Sequence, residues 1–179
     1  MGSRRAVLLD RDGVLNKPVF YKDGSSHPPQ NAGAAELTEG AVEALQLLHE
    51  FVLVGVTNQP DVARGTQTKE EVERINAVLM KQLPLRDILV CCHDDADQCD
   101  CRKPRPGLLL QAAKLYELDL GRSFMIGDRW KDISAGKAAG CRTVLFSTSV
   151  TEACLEPPEL MCSSLLSAVQ WILKQEERQ

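Results

Sequence analysis

Two carboxylates stand one residue apart in Asp10-Arg11-Asp12-Gly13, directly after the apolar run Ala6-Val7-Leu8-Leu9. At about 4 Å and an effective dielectric near 20, two like charges repel by roughly 4 kcal/mol, so keeping both ionised calls for a cation. Hard carboxylate and carbonyl oxygens select magnesium. Read alone, the pair could equally cap a turn. That reading weakens because other reactive groups stand at comparable places: Thr57-Asn58 after a second apolar run, Lys103 ahead of a helical stretch, and Gly127-Asp128 after another run. If the runs are strands of one parallel sheet, a single edge collects them all. Asp132, four residues beyond Asp128 on the same helical face, either orients a metal's water shell or caps the helix.

A second constellation is built from sulfur. Seven cysteines in a chain with no secretion signal argue against a disulfide framework. Four of them, Cys91, Cys92, Cys99 and Cys101, fall with His93 in one short window. Three thiolates and an imidazole make a closed tetrahedral zinc site, and a loop of this size has no core of its own to hold its shape. The spacing leaves two matters open: whether the cysteines bind metal or merely fill space, and whether Cys91 or Cys92 is the ligand.

The elements that must position these groups alternate. Ala6 to Leu9, Phe51 to Val56, Ile88 to Cys91, Phe124 to Ile126 and Thr143 to Phe146 are continuous apolar runs, the pattern of strands covered on both faces. Between them Ala41, Leu45 and Leu48 keep helical spacing, as do Val72, Ile75 and Leu79, then Leu109, Ala112, Ala113 and Tyr116. Thr68-Lys69-Glu70-Glu71 reads as a capping box, Pro106 as a first helical residue, and Gly140 as the stop of a short helix from about Lys131. Leu165, Leu166, Val169 and Ile172 predict a final packing helix. Strand and helix in alternation predict a doubly wound parallel sheet, a three-layer α/β domain. Residues 16–37, rich in Gly, Pro and Ser, break the rhythm and are read as a substrate-facing flap leaving the first strand.

Composition closes off some classes. A length of 179 residues, with 44% hydrophobic and 26% charged, suits a single globular domain spanning 1–179. A net charge of −4 argues against a protein that grips nucleic acid or anionic membrane through bulk positive charge. The run Ala6 to Leu9 is too short for a signal-peptide core or a membrane span, so a cytoplasmic protein is expected. A monomer acting on a small molecule is the expected state.

The ordered set of Asp10-x-Asp12, Thr57, Lys103 and Asp128 resembles the four motifs of the haloacid dehalogenase superfamily, from Val7 to about Phe146. The resemblance implies a Rossmann-like fold and a phosphatase mechanism. Asp10 would be the nucleophile that takes the phosphoryl group, and Asp12 the acid and base. Magnesium would be held by the Asp10 side chain, the Asp12 backbone carbonyl and Asp128, while Thr57, Asn58 and Lys103 hold phosphoryl oxygens. Cys99-Asp100-Cys101-Arg102-Lys103-Pro104 looks like the zinc-loop branch, which contains heptose 1,7-bisphosphate 7-phosphatases and histidinol-phosphate phosphatases. That likeness favours Cys91, His93, Cys99 and Cys101 as structural zinc ligands within a loop at 91–104, and it implies little or no cap domain.

Thr57-Asn58-Gln59 with Ala63-Arg64-Gly65 resembles the heptose members, and Arg64, Arg102 and Arg129 could then grip a second, non-reacting phosphate. Pro60-Asp61 departs from the Ser-Gly often found there. A sugar bisphosphate is the expected substrate and histidinol phosphate the alternative. Two readings of another class remain, a phospho-accepting signalling receiver and a catalytically silent zinc-bearing interaction module. A receiver, however, phosphorylates an Asp after its third strand, where this chain enters its cysteine loop.

Overall fold

The computed structural model describes residues 4–20, 26–146 and 156–176. Six parallel strands form one sheet: β1 (Ala6–Leu9), β4 (Val52–Asn58), β5 (Asp87–Cys91), β6 (Phe124–Gly127), β7 (Arg142–Phe146) and β8 (Leu160–Cys162). Their order is β5-β4-β1-β6-β7-β8. The chain therefore runs outward from the central β1 on one side, then crosses to β6 and winds outward on the other. Such a reversal opens a crevice at the C-terminal ends of the strands flanking it, here β4, β1 and β6.

Alternation along β1 sends side chains to two separate cores. Val7 and Leu9 pack with Leu45 and Leu48 of α1 (Ala41–Gln46) and its following turn, and with Leu165, Val169 and Ile172 of α5 (Leu165–Glu176). Ala6 and Leu8 point the other way, against Leu108, Leu109 and Ala112 of α3 (Gly107–Tyr116) and Ala135 of α4 (Trp130–Ala138). The remaining helix, α2 (Lys69–Gln82), lays Ile75 and Leu79 on Ile88 of β5. Both faces of the sheet are covered, which is why its strands read as unbroken apolar runs.

Several local expectations need adjustment. Thr57 and Asn58 are the last residues of β4 rather than the turn after it. Thr68 caps α2 by accepting from the Glu71 amide at 3.2 Å, but the capping box is only half made. The Glu71 carboxylate instead accepts from the Ala32 amide and pairs with Arg74, tying the flap to the helix start. Pro106 sits at the cap of α3, one residue before its first turn. Leu166 is exposed rather than packed. The sixth strand, β8, was not foreseen: Leu160-Met161-Cys162 is a short, half-exposed run at a sheet edge.

Within the flap, Val19–Phe20 (β2) and Ser26–His27 (β3) pair antiparallel, and a 3-10 turn covers Ala32–Ala34. Residues 21–25 of that segment lie outside the described residues. No helix among the described residues is long and apolar enough to cross a membrane.

Candidate active site

The crevice is a cleft of about 290 Å³, and Asp10, Asp12, Thr57, Asn58, Lys103 and Asp128 all line it. Asp10 leaves the end of β1 with its amide bonded to the Ile126 carbonyl at 2.9 Å, so the nucleophile expected from sequence is pinned between β1 and β6. The turn that follows is tight for a reason. Gly13 has φ +96°, and a Cβ there would lie 2.3 Å from the Asp128 carboxylate, so only glycine lets the two acidic segments approach. Gly127 meets the same demand from Asp132, whose Cβ lies 2.0 Å from where a side chain would begin.

Lys103 crosses the site from the cysteine loop. Its ammonium is buried and donates to Asp10 Oδ1 at 2.6 Å, Asp132 Oδ1 at 2.6 Å and the Val56 carbonyl at 2.7 Å, three acceptors for three hydrogens. Burial alone would push its pKa down, but the carboxylates of Asp10 and Asp132 outweigh it and hold the ammonium well above the ordinary lysine range. Asp132 takes the capping duty and adds one that was not suggested. One oxygen holds Lys103, and the other accepts from the Arg129 amide at 3.1 Å, capping α4.

The acidic side is short of positive charge. Burial, then the carboxylates of Asp132 and Asp12, push the pKa of Asp10 up to about 7 despite Lys103. Burial, then Asp10 and Asp132, push Asp128 up to about 8 despite Arg129 and Lys103. Carboxylate oxygens of Asp10, Asp128 and Asp132 lie within 4.8 Å of one another, and Asp128 Oδ1 is buried with no hydrogen-bond partner. An orphaned buried oxygen beside two other hard oxygen donors suits a hard divalent cation.

Asp12 sits apart from that cluster. Its carboxylate accepts from Arg11 Nε and a terminal nitrogen at 3.1 and 2.9 Å, from Asn16 Nδ2 at 3.0 Å and from Gln59 Nε2 at 2.6 Å. Gln59 also donates to Thr57 Oγ1 at 2.8 Å, which leaves the threonine hydroxyl hydrogen available to the cleft. Asn58 exchanges two bonds with the Lys103 backbone, at 3.0 and 3.1 Å, so its amide first of all presents the lysine. Arg11, Asn16, Gln59 and Asn76 were not among the expected site residues. The available signal was Arg11 itself, a guanidinium placed between two carboxylates at the end of a buried strand.

In the cysteine loop the Cys91, Cys99 and Cys101 sulfurs lie 3.1 to 3.6 Å apart, and His93 Nδ1 is 3.6 Å from Cys91 and 3.3 Å from Cys101. A tetrahedron with metal–sulfur bonds of about 2.3 Å has edges near 3.8 Å, so these four atoms are already gathered for a closed site. Cys92 is not in the cluster. The loop is braced from outside by Arg102, which donates to Asp95 Oδ1 at 2.7 Å and to the His93 carbonyl at 3.3 Å. Arg64 forms a bidentate pair with Asp94 at 2.7 and 2.8 Å. Both arginines line the cleft, yet each is held by a carboxylate of the loop. Arg129 and Lys131 also line it, and Arg129 makes no ion pair among the described residues.

Comparison with known proteins assigns this geometry to a lineage. Residues 100–168 match the HAD-hydrolase-like family model. D-glycero-beta-D-manno-heptose-1,7-bisphosphate 7-phosphatase of Pasteurella multocida (strain Pm70) is 36% identical over 81% of this chain and 83% of its own length. The chain belongs to the haloacid dehalogenase superfamily. The Escherichia coli (strain K12) protein of the same description is 33% identical over 96% of this chain and 95% of its own. Among solved structures, the D,D-heptose 1,7-bisphosphate phosphatase from B. bronchiseptica, complexed with magnesium and phosphate, superposes with a TM-score of 0.80 at 25% identity, covering 96% of this chain and 99% of its own. These relatives are named phosphatases, so the chain is a hydrolase of the phosphatase type, and the receiver and silent-module readings are set aside.

Proposed function

We propose that this chain, as one catalytic unit over 1–179, hydrolyses a phosphomonoester through a phosphoryl group carried on Asp10, with a sugar bisphosphate of the heptose 1,7-bisphosphate type as substrate. The observation that carries the reading is the Lys103 ammonium 2.6 Å from both Asp10 and Asp132, beside the orphaned Asp128 oxygen at the same sheet edge. Lys103 holds Asp10 as a carboxylate with one oxygen directed, and its positive charge favours the trigonal phosphoryl group during transfer. Thr57 donates to a phosphoryl oxygen while Gln59 fixes its hydroxyl, and Asn58 keeps Lys103 in place. As Asp10 attacks phosphorus, the ester bond breaks and the leaving oxygen takes the proton of Asp12. The Asp12 carboxylate then accepts a proton from the water that releases phosphate and restores Asp10.

Asp10, Asp128 and the Asp12 carbonyl are the proposed magnesium ligands, with Asp132 as an outer partner; bound there, Mg²⁺ supplies charge neutralisation between nucleophile and phosphate. Cys91, His93, Cys99 and Cys101 are the proposed ligands of a structural Zn²⁺ that shapes the 91–104 loop and so presents Lys103. From the 16–37 segment, Pro18, His27 and Pro28 line the cleft and face the substrate. A second phosphate meets Arg129 first, with Arg64 and Arg102 reachable only against Asp94 and Asp95.

The test is phosphate release from heptose 1,7-bisphosphate, sugar monophosphates and histidinol phosphate, with Mg²⁺ and with excess chelator. Magnesium-dependent preference for the bisphosphate supports the reading. Preference for histidinol phosphate moves the substrate to the alternative, and silence across the panel with metals verified overturns the activity.

A further inference from the structure

We propose that Arg11 and Asn76 are positioning residues for the proton transfers of Asp12, an inference that rests on the phosphatase reading above. Arg11 is the largest wholly buried side chain described, at 0% exposure. Taking a guanidinium out of water is costly, and at a purely structural position an apolar side chain of similar volume is often as stable or more so. Its partners indicate what it does instead. The guanidinium grips both oxygens of Asp12 in a fork, at 3.1 and 2.9 Å, and its third nitrogen donates to Asn76 Oδ1 on α2 at 3.0 Å.

Asn76 thereby anchors the fork from behind, outside the cleft. With Asn16 and Gln59 added, four donors fill the in-plane acceptor positions of the Asp12 carboxylate. The arrangement fits the ionised form, which is the form Asp12 reaches as it gives its proton to the leaving oxygen. Gln59 Nε2 gives one hydrogen to Asp12 Oδ2 and the other to Thr57 Oγ1, so the same amide ties Asp12 to the threonine at the end of β4. The Arg11 fork strengthens as negative charge grows on Asp12, because hydrogen bonds to a carboxylate are roughly twice as strong as neutral ones. Its contribution therefore appears in the transition state rather than the ground state, the condition for accelerating a step. It matters only when the leaving oxygen needs a proton.

That condition sets the experiment. Asn76→Ala and, separately, Arg11→Lys are assayed as metal-loaded full-length protein on heptose 1,7-bisphosphate, whose alkoxide must be protonated, and on p-nitrophenyl phosphate, whose phenolate leaves without a proton. The readout is kcat/KM, which reports steps through phosphoryl transfer to Asp10 and not the later hydrolysis common to both esters. Expected is a fall of roughly 10- to 100-fold on the sugar ester, part of what positioned proton transfer supplies, with a change under about 3-fold on the aryl ester. The ratio of the two values does not depend on the folded fraction of a variant. Equal losses on both esters, or no loss on either, overturn the proposal. Failure of the phosphatase reading shows separately, as wild-type inactivity on both.

Discussion

Replacing Lys103 with Met removes the ammonium while roughly keeping its volume, and leaves Asp10 and Asp132 facing each other without it. The side chains of the triad are 2% exposed for Lys103, 12% for Asp10 and 3% for Asp132, so water cannot substitute for the lost charge. Breaking a buried ion pair by removing one partner costs about 3–5 kcal/mol. For a chain of this size each kcal/mol moves the unfolding midpoint by about 2–4 °C, which gives a loss of roughly 6–20 °C. The loss has a pH signature. A carboxylate whose folded pKa is raised binds more protons folded than unfolded, so stability falls as pH rises towards that pKa. Asp10, already pushed up to about 7, goes higher without Lys103. In metal-free Lys103→Met, followed by thermal unfolding, the deficit against wild type is therefore largest at pH 8 and shrinks towards pH 5, where Asp10 is protonated. Adding Asp132→Asn recovers part of it. An unchanged midpoint at pH 8, or a deficit that persists in full at pH 5, refutes the buried triad as the structure draws it.

Metal-free wild type should itself lose stability from pH 5 to pH 8, because burial and mutual repulsion raise Asp10 and Asp128 to about 7 and about 8. Saturating Mg²⁺ should raise the midpoint more at pH 8 than at pH 6, and a pH-independent gain counts against metal binding by these carboxylates. Cys101→Ser removes one of four gathered ligands and should lower both zinc content by elemental analysis and the unfolding midpoint. Full zinc stoichiometry with wild-type stability contradicts the ligand set. Asp94→Asn frees Arg64 from its bidentate partner, an exposed pair, so KM for a bisphosphate should fall by about 2- to 5-fold with little change for a monophosphate. A rise in both KM values shows instead that Asp94 holds the loop in its working shape.

Most of the residues lining the cleft could be read from sequence because the fold demands them there. A parallel strand buried on both faces must be apolar to its end, so the first polar residues after Leu9 and Ile126 mark the crevice by default. The cysteines showed themselves by density, and the structure gathers Cys91, the last residue of β5, with the loop cluster while Cys92, just past the strand, stays out of it. The cage around Asp12 was less legible. Asn16, Gln59 and Asn76 are polar residues on a turn, a strand end and a helix, and none carries a local mark of function. Only tertiary packing brings them onto one carboxylate. The pairing of Arg64 and Arg102 with Asp94 and Asp95 was hidden for the same reason: spacing shows which charges exist, but not which of them neutralise each other. Edge strand β8 escaped because its apolar run, Leu160-Met161-Cys162, is only three residues long and half-exposed.

The central claim is that phosphate passes through Asp10, and the stereochemistry at phosphorus tests it most directly. A phosphorothioate analogue of the substrate, made chiral at phosphorus with one heavy oxygen isotope, is turned over by the metal-loaded enzyme in water carrying the other, and the configuration of the released thiophosphate is measured, with Asp10→Asn as the inactive control. Two successive in-line displacements, onto Asp10 and then onto water, predict overall retention. Inversion, or undiminished turnover by Asp10→Asn, would mean that water attacks the ester directly and that Asp10 is not the nucleophile.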